Sequence, residues 1–305
     1  MKYTMVISIV AVLMFQLIAS GETMKVPKFP MNFEHNSFDD QYVGCEETMN
    51  IKAIELLKQE KERQPNFSKI WEKAENHWEN MFPDNKRMEK MFEIAVIAYT
   101  MDDYKMYQTF NQAVKRSGES MESYVKTFTF KAFHFYLTRA VQTLKGPCRN
   151  VYRGISVKVY PDGTREMRFG QFASASLDLK EARLFAGDSG TIYHVYTCEG
   201  AYIEYLSKYP KEKEVLIPPY EVFNVSGFSE DPKGTTTVHL THKRTFSKYN
   251  CALEGRREGE RREKGKGHIG ASGNKATVPG QLTTILFSGV FILVFQAHSQ
   301  ILTGF

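Results

Sequence analysis

Apolar and charged residues alternate at three- and four-residue spacing over Glu46–Gln64, Ser68–Met81 and Asn85–Thr100, which predicts helices. Phe130, Phe133, Leu137, Val141 and Leu144 form one further apolar stripe that stops at the breaker pair Gly146-Pro147. Beyond that pair the pattern changes to β-branched and aromatic runs with turn punctuation. Val157–Tyr160 and Thr164–Phe169 flank Pro161-Asp162-Gly163 and predict a hairpin. Gly190–Cys198, Val215–Val225 and Thr235–Thr241 are further strand candidates. A helical N-terminal half against a strand-rich C-terminal half is an α+β layout, and no internal repeat is visible.

Both ends of the 305-residue chain lie outside this pattern. Residues 1–21 have the form of a secretory signal peptide: Lys2, then a largely apolar stretch over Met5–Ala19, then small residues at Ala19-Ser20-Gly21. An uncleaved anchor helix is the rival reading. At the other end, Leu282–Phe295 is an apolar run that would cover about 21 Å as a helix, short of a hydrocarbon core of about 30 Å. Small residues Gly270–Gly273, a polar spacer and this tail make the pattern of a glycosylphosphatidylinositol (GPI) signal with attachment near Ser272. A true span extended to Phe305 is the alternative. The expected organisation is therefore a leader (1–21), a folded domain (22–254, turning from helical to strand-rich near 146), a polar stalk (255–281) and a removable hydrophobic tail (282–305).

Composition alters this picture little. The net charge is +5, and the run Arg256–Lys266 alone holds six basic and three acidic residues. A nucleic-acid footprint over the folded part is not indicated. A secreted chain makes its four cysteines, Cys45, Cys148, Cys198 and Cys251, readable as disulfides, with three pairings open. No CxxC or HExxH spacing suggests a metal site. Asn66-Phe67-Ser68 and Asn224-Val225-Ser226 are glycosylation acceptors at Asn66 and Asn224.

Three short stretches hold candidate chemistry. In Val151-Tyr152-Arg153-Gly154, a guanidinium suits phosphate oxygens and the glycine lets another group approach the backbone, although a surface arginine would leave the same trace. In Phe172-Ala173-Ser174-Ala175-Ser176, alternation puts both serine hydroxyls on one face, where they could orient a carboxylate or a ribose or simply meet water. In Lys211-Glu212-Lys213-Glu214, an extended backbone would point both carboxylates the same way, about 6–7 Å apart. Such a pair could stabilise an oxocarbenium-like sugar and take the proton of an incoming nucleophile, or be a solvated strand entry.

In order and spacing these stretches resemble the vertebrate ecto-mono-ADP-ribosyltransferases of the arginine-directed group, with their Arg–Ser–Glu-x-Glu signature at Arg153, Ser174 and Glu212-Lys213-Glu214. The likeness extends to Phe38–Tyr42 with Cys45, Lys131–Ala140, Arg168–Phe172 and Glu214–Val222, and covers about Phe33 to Cys251. It implies a helical subdomain packed on strand-rich sheets with NAD, the substrate, in the cleft, and no metal. Arg153 would hold the nicotinamide-side phosphate and ribose, Gly154 the carboxamide, and Phe185 would stack on nicotinamide. Ser174 would position Glu214, Glu214 would bind the ribose 2′-hydroxyl and stabilise the oxocarbenium, and Glu212 would orient and deprotonate the acceptor guanidinium. The implied disulfides are Cys45–Cys251 and Cys148–Cys198. The implied activity is transfer of ADP-ribose to arginine on extracellular or membrane proteins by an enzyme GPI-anchored at the cell surface, or shed from it. Predominant NAD hydrolysis, or a catalytically silent surface protein, are the alternatives. The short basic approach Lys208-Tyr209-Pro210-Lys211 is expected to govern acceptor choice and to disfavour very basic targets.

Overall fold

The computed structural model describes residues 28–81 and 88–255; the leader, the stalk beyond Gly255, Ser272 and the hydrophobic tail lie outside them. After a short strand, β1 (Lys28–Pro30), the N-terminal half is helical: α1 (Glu46–Arg63), α2 (Pro65–Met81), α3 (Lys90–Thr100), α4 (Met106–Ser117), α5 (Met121–Thr127) and α6 (Lys131–Leu144). The stripe on α1 is Met49, Ala53, Leu57 and Glu60, all buried. Glu60 is the polar member because its carboxylate accepts from the backbone N–H groups of Ala132 and Phe133, satisfying the start of α6. On α3 every residue from Phe92 to Thr100 is buried, so this helix runs through the middle of the helical half. The expected helix start at Asn85 falls outside the described residues. Helices α4 and α5 are additions that the patterning did not mark.

The C-terminal half supplies β2 (Arg149–Ile155), β3 (Lys158–Tyr160), β4 (Glu166–Met167), β5 (Ala173–Ser176), α7 (Leu179–Ala186), β6 (Thr191–Thr197), β7 (Ala201–Tyr202), β8 (Glu214–Ile217), β9 (Glu221–Glu230) and β10 (Thr236–Thr245). Eight of these strands form one mixed sheet in the order β4-β9-β10-β6-β2-β5-β8-β7. Two expectations need correction. The turn at Asp162-Gly163 exists, with both residues at positive φ, but no hairpin ladder follows. Strand β3 pairs with β1 while β4 pairs with β9, so the two arms on either side of the turn join different sheets. The single run Val215–Val225 is two strands, β8 and β9, broken at Pro218-Pro219, where proline cannot donate to a ladder.

The sheet narrows at one place. Strands β2 and β5 share a single register pair, Tyr152 with Ser176, whereas every other neighbouring pair in the sheet shares two or more. On one side of β5 and β8, Phe172 and Leu216 join the helical core; on the other, Ala173, Ala175, Val215 and Ile217 meet Val151, Val195 and Leu240. Strand β8 is buried along its whole length because it lies between two cores. Disulfide Cys45–Cys251 ties the start of α1 to the end of the domain, and Cys148–Cys198 ties the adjoining ends of β2 and β6. A buried ion pair, Arg168 with Asp39, holds the segment before α1 against the strand half.

Candidate active site

A cavity of about 320 Å³ opens where β2 and β5 part, walled by the helical half on one side and α7 on the other. All six residues of the signature and its neighbours line it: Arg153, Gly154, Ser174, Phe185, Glu212 and Glu214. Five elements bring them together (β2, β5, α7, the turn before β8, and β8), so their proximity is a product of the sheet and not of local sequence.

Arg153 stands on β2 and its Nη1 donates to the carbonyl of Ser174 at 2.6 Å, across the gap between β2 and β5. Burial pulls the guanidinium below its ordinary pKa, while Tyr99, Tyr193, Tyr107 and Glu214 act in the opposite direction. It remains a cation at neutral pH, as arginine does in proteins. Gly154 lets another group approach the backbone, as the sequence suggests, and that group is helix α7. A Cβ there would stand 1.8 Å from the carbonyl oxygen of Ala182, so the glycine lets α7 lie directly on β2. That contact sets α7 at the cavity edge, with Phe185 on it 46% exposed and available as a stacking surface.

Glu214 opens β8 and is only 5% exposed. Burial raises its pKa; hydrogen bonds from Ser174 and Ser207 and the charge of Arg153 work against that rise. Ser207 Oγ donates to Glu214 Oε2 at 3.0 Å. Ser207 and the helical-half residues of the wall were not found in the sequence, because nothing local marks a serine seven residues from a glutamate as its partner.

Glu212 is placed differently from the expectation. The segment is not extended: Glu212 ends a 3₁₀ turn, Pro210–Glu212, and Lys213 is left-handed at φ 48° and ψ 52° before β8 begins. The two carboxylates nevertheless reach one cavity. Burial, the neighbouring Glu214 and then Glu181 push the Glu212 pKa up to about 7. The expected basic approach is also corrected, since of Lys208-Tyr209-Pro210-Lys211 only Tyr209 lines the cavity. The charge there is acidic and comes from distant elements: Glu181 on α7, and Asp102 after α3, which accepts from the Tyr209 hydroxyl.

On the helical side, Asn111 Nδ2 donates to Tyr99 Oη at 3.0 Å, and Tyr99 donates to the carbonyl of Phe172 at 2.9 Å. Asn111 lines the cavity, is 6% exposed, and leaves its Oδ1 without a hydrogen-bond partner among the described residues. The whole arrangement has a cation and a carboxylate deep inside, an aromatic edge and a second, weakly acidic carboxylate towards an acidic mouth.

Comparison with known proteins agrees with this geometry. Residues 31–248 match the family model of the NAD:arginine ADP-ribosyltransferases. The chain is 37% identical over 294 residues to rat ecto-ADP-ribosyltransferase 5, covering 90% of this chain and 91% of that one. It is 38% identical to the human ecto-ADP-ribosyltransferase 5 over 270 residues, covering 84% and 89%. A crystal structure of the eukaryotic mono-ADP-ribosyltransferase ART2.2 with NADH superposes with a TM-score of 0.64 at 35% identity, covering 73% of this chain and 98% of that one. Helical bundle, mixed sheet and intervening cleft thus recur in a relative crystallised with the dinucleotide, and the chain belongs to the NAD:arginine ADP-ribosyltransferase family.

Proposed function

We propose that this cavity breaks NAD at the bond between nicotinamide and ribose and passes ADP-ribose to an arginine side chain of a protein. The observation that carries the reading is the pairing of Glu214, buried beside Arg153 and two serine hydroxyls, with Glu212, whose pKa of about 7 suits a base at neutral pH. The C–N electron pair leaves with nicotinamide, which departs neutral, and positive charge develops on the ribose. Glu214 is the anion placed to stabilise that charge in a site shielded from water. An acceptor guanidinium nitrogen then bonds to the ribose carbon and gives up a proton to Glu212.

The remaining wall fits the same substrate. Arg153 holds phosphate oxygens, Gly154 the carboxamide through its backbone, and Phe185 stacks on nicotinamide. Ser174 holds Glu214 in place. Asn111 Oδ1 offers an acceptor to an N–H of the dinucleotide. Asp102 and Glu181 suit a cationic acceptor, which argues for arginine ahead of water as the second substrate.

The reading extends to the cell surface. Leader 1–21, glycans on the exposed Asn66 and Asn224, stalk 255–281 and lipid attachment near Ser272 make a domain at 22–254 tethered outside the cell. Among the described residues no helix is long and apolar enough to cross a membrane. Release by phosphatidylinositol-specific phospholipase C is the expected behaviour, and retention on cells that shed a control anchored protein would favour a true span. The activity is tested by incubating the purified ectodomain with labelled NAD, with and without a small guanidino acceptor. Labelled acceptor is expected; nicotinamide release with no labelled acceptor would favour a hydrolase, and neither product a silent binding protein.

A further inference from the structure

The catalytic-side carboxylate has a partner that the signature does not contain. Chain segment Ala201–Ser207 returns alongside β8: β7 pairs with β8 through Ala201 with Leu216 and Tyr202 with Val215, and Ile203 N–H donates to the Glu214 carbonyl at 3.0 Å. A tight turn follows, in which the N–H groups of Leu206 and Ser207 both donate to the Ile203 carbonyl at 2.9 Å. The turn delivers Ser207, 6% exposed, to the Glu214 side chain.

The hydroxyl has little freedom there. Tyr209 N–H donates to Ser207 Oγ at 3.1 Å, which occupies the oxygen as an acceptor. Its one proton then goes to Glu214 Oε2, 3.0 Å away. The next residue is pinned as well: Lys208 N–H donates to Thr100 Oγ1 at 3.0 Å, and Thr100 Oγ1 donates to the Ile97 carbonyl at 3.0 Å. The hydroxyl therefore joins the segment leading to Glu212 to the carboxylate of Glu214, with the end of α3 as its fixed base.

We propose that Ser207 is a positioning residue, which holds the Glu214 carboxylate in its reactive orientation and joins that orientation to the Tyr209–Glu212 segment. Ser174 supports Glu214 from β5, and Ser207 supports it from the acceptor side, so the carboxylate is clamped between side chains carried by the two chain segments that flank β8. This rests on the proposed role of Glu214. The groups facing that carboxylate are Arg153 from β2, Ser174 from β5, Tyr99 from α3, Glu212 from the 3₁₀ turn, and Ser207 itself.

The test compares Ser207→Ala, Ser207→Thr and Glu214→Gln in the purified ectodomain, measuring nicotinamide release against NAD concentration and pH, with folding followed by thermal melting. For Ser207→Ala, kcat should fall on the order of tenfold to a hundredfold, the usual effect of losing one hydrogen bond to a charged group. KM for NAD should change less than about threefold, since the hydroxyl reaches Glu214 and not the ligand. Removing a donor to the anion also raises the Glu214 pKa, so the acidic limb of the pH profile should move to higher pH. Ser207→Thr retains the hydroxyl and should recover most of kcat. Ser207→Ala within about twofold of the parent with an unmoved acidic limb would overturn the inference, as would a Thr variant as slow as Ala with an unchanged melting temperature. The two failures are separable. Normal release by Glu214→Gln would remove the reading of the site itself, whereas collapse of Glu214→Gln alongside a fully active Ser207→Ala would remove only this inference.

Discussion

The hydroxyl of Ser176 on β5 donates to the main-chain carbonyl of Glu212 at 2.6 Å and accepts from the backbone N–H of Asp178 at 2.8 Å. Next to it, Leu177 N–H donates to the Lys213 carbonyl at 3.2 Å. A residue on one strand thus fixes the backbone of a glutamate that belongs to the approach of another. Glu212 keeps its place beside Glu214 through this clasp and not through the regular geometry of an extended strand, which Lys213 interrupts. The two carboxylates accordingly have different surroundings, and different consequences are expected when each is changed.

Glu214→Gln keeps the shape and removes the anion, so both transfer to arginine and NAD hydrolysis should collapse. Loss of one well-placed electrostatic contact in such a site costs about 3–4 kcal/mol, a hundred- to thousandfold in rate. Glu212→Gln should abolish transfer while hydrolysis largely survives, because water needs no help from it of the same kind. Nicotinamide release and labelling of a guanidino acceptor, measured side by side on folded variants, decide the matter. Equal loss of both activities in Glu212→Gln would contradict the division of labour.

Acceptor transfer should depend on pH through Glu212. A base with a pKa near 7 is active when deprotonated, so kcat/KM for the acceptor should rise as pH increases through about 7. Hydrolysis should lack this limb. Glu181 is one of the like charges that raise the Glu212 pKa, so Glu181→Gln should move the limb to lower pH. Superimposable profiles for transfer and hydrolysis would argue against Glu212 as the base.

Gly154→Ala should damage stability and NAD binding together. The added methyl would stand 1.8 Å from the Ala182 carbonyl oxygen and 2.7 Å from its carbon, which are backbone atoms and cannot rotate away. Helix α7 must shift, taking Phe185 and Glu181 with it. Overpacking of this kind costs about 1–3 kcal/mol. A lowered melting temperature with a raised KM for NAD is expected; an unchanged melting temperature would mean that α7 does not rest on β2 as described.

Asp39→Asn tests the join between the halves. Asp39 is paired with Arg168, both side chains fully buried, and its Oδ1 accepts from Lys248 N–H at 2.8 Å and Tyr249 N–H at 3.1 Å. Removing the charge leaves a buried guanidinium uncompensated, a loss of about 3–5 kcal/mol. Urea denaturation should show it as a lower midpoint with an unchanged slope. A loss below about 1 kcal/mol would show that carbonyls of Phe33 and Glu34, which also accept from Arg168, are enough to satisfy it.

Much of the fold was open to reading because amphipathic periodicity is a local property. The stripe Phe133, Leu137, Val141 on α6 and the buried run on α1 follow directly from residue spacing. Strand partners do not. Thr164–Phe169 has the pattern of a hairpin arm, yet which ladder it joins depends on what else reaches the same edge, and here that is β9. Helix α7 was also missed: its sequence, Leu179–Ala186, buries only Ala182 and Ala186, two small residues that leave no strong stripe.

What the sequence determined by itself was the kind of chemistry and the ends of its apparatus: an arginine, a serine and a Glu-x-Glu pair in a fixed order, within an α+β chain. Side-chain type and order are written in the residues and need no fold to be read. What only the tertiary structure decided was which groups surround those residues. Ser207 and Ser176 as clamps, Asn111 with its open acceptor, and Asp102 and Glu181 at the mouth all come from separate elements that the sheet and the helical core bring to one cavity. The reversal of the expected charge at the mouth has the same cause. Lys208 and Lys211 are near Glu212 along the chain, but electrostatic and hydrogen-bonding forces act through distance in space, and in space its neighbours are carboxylates.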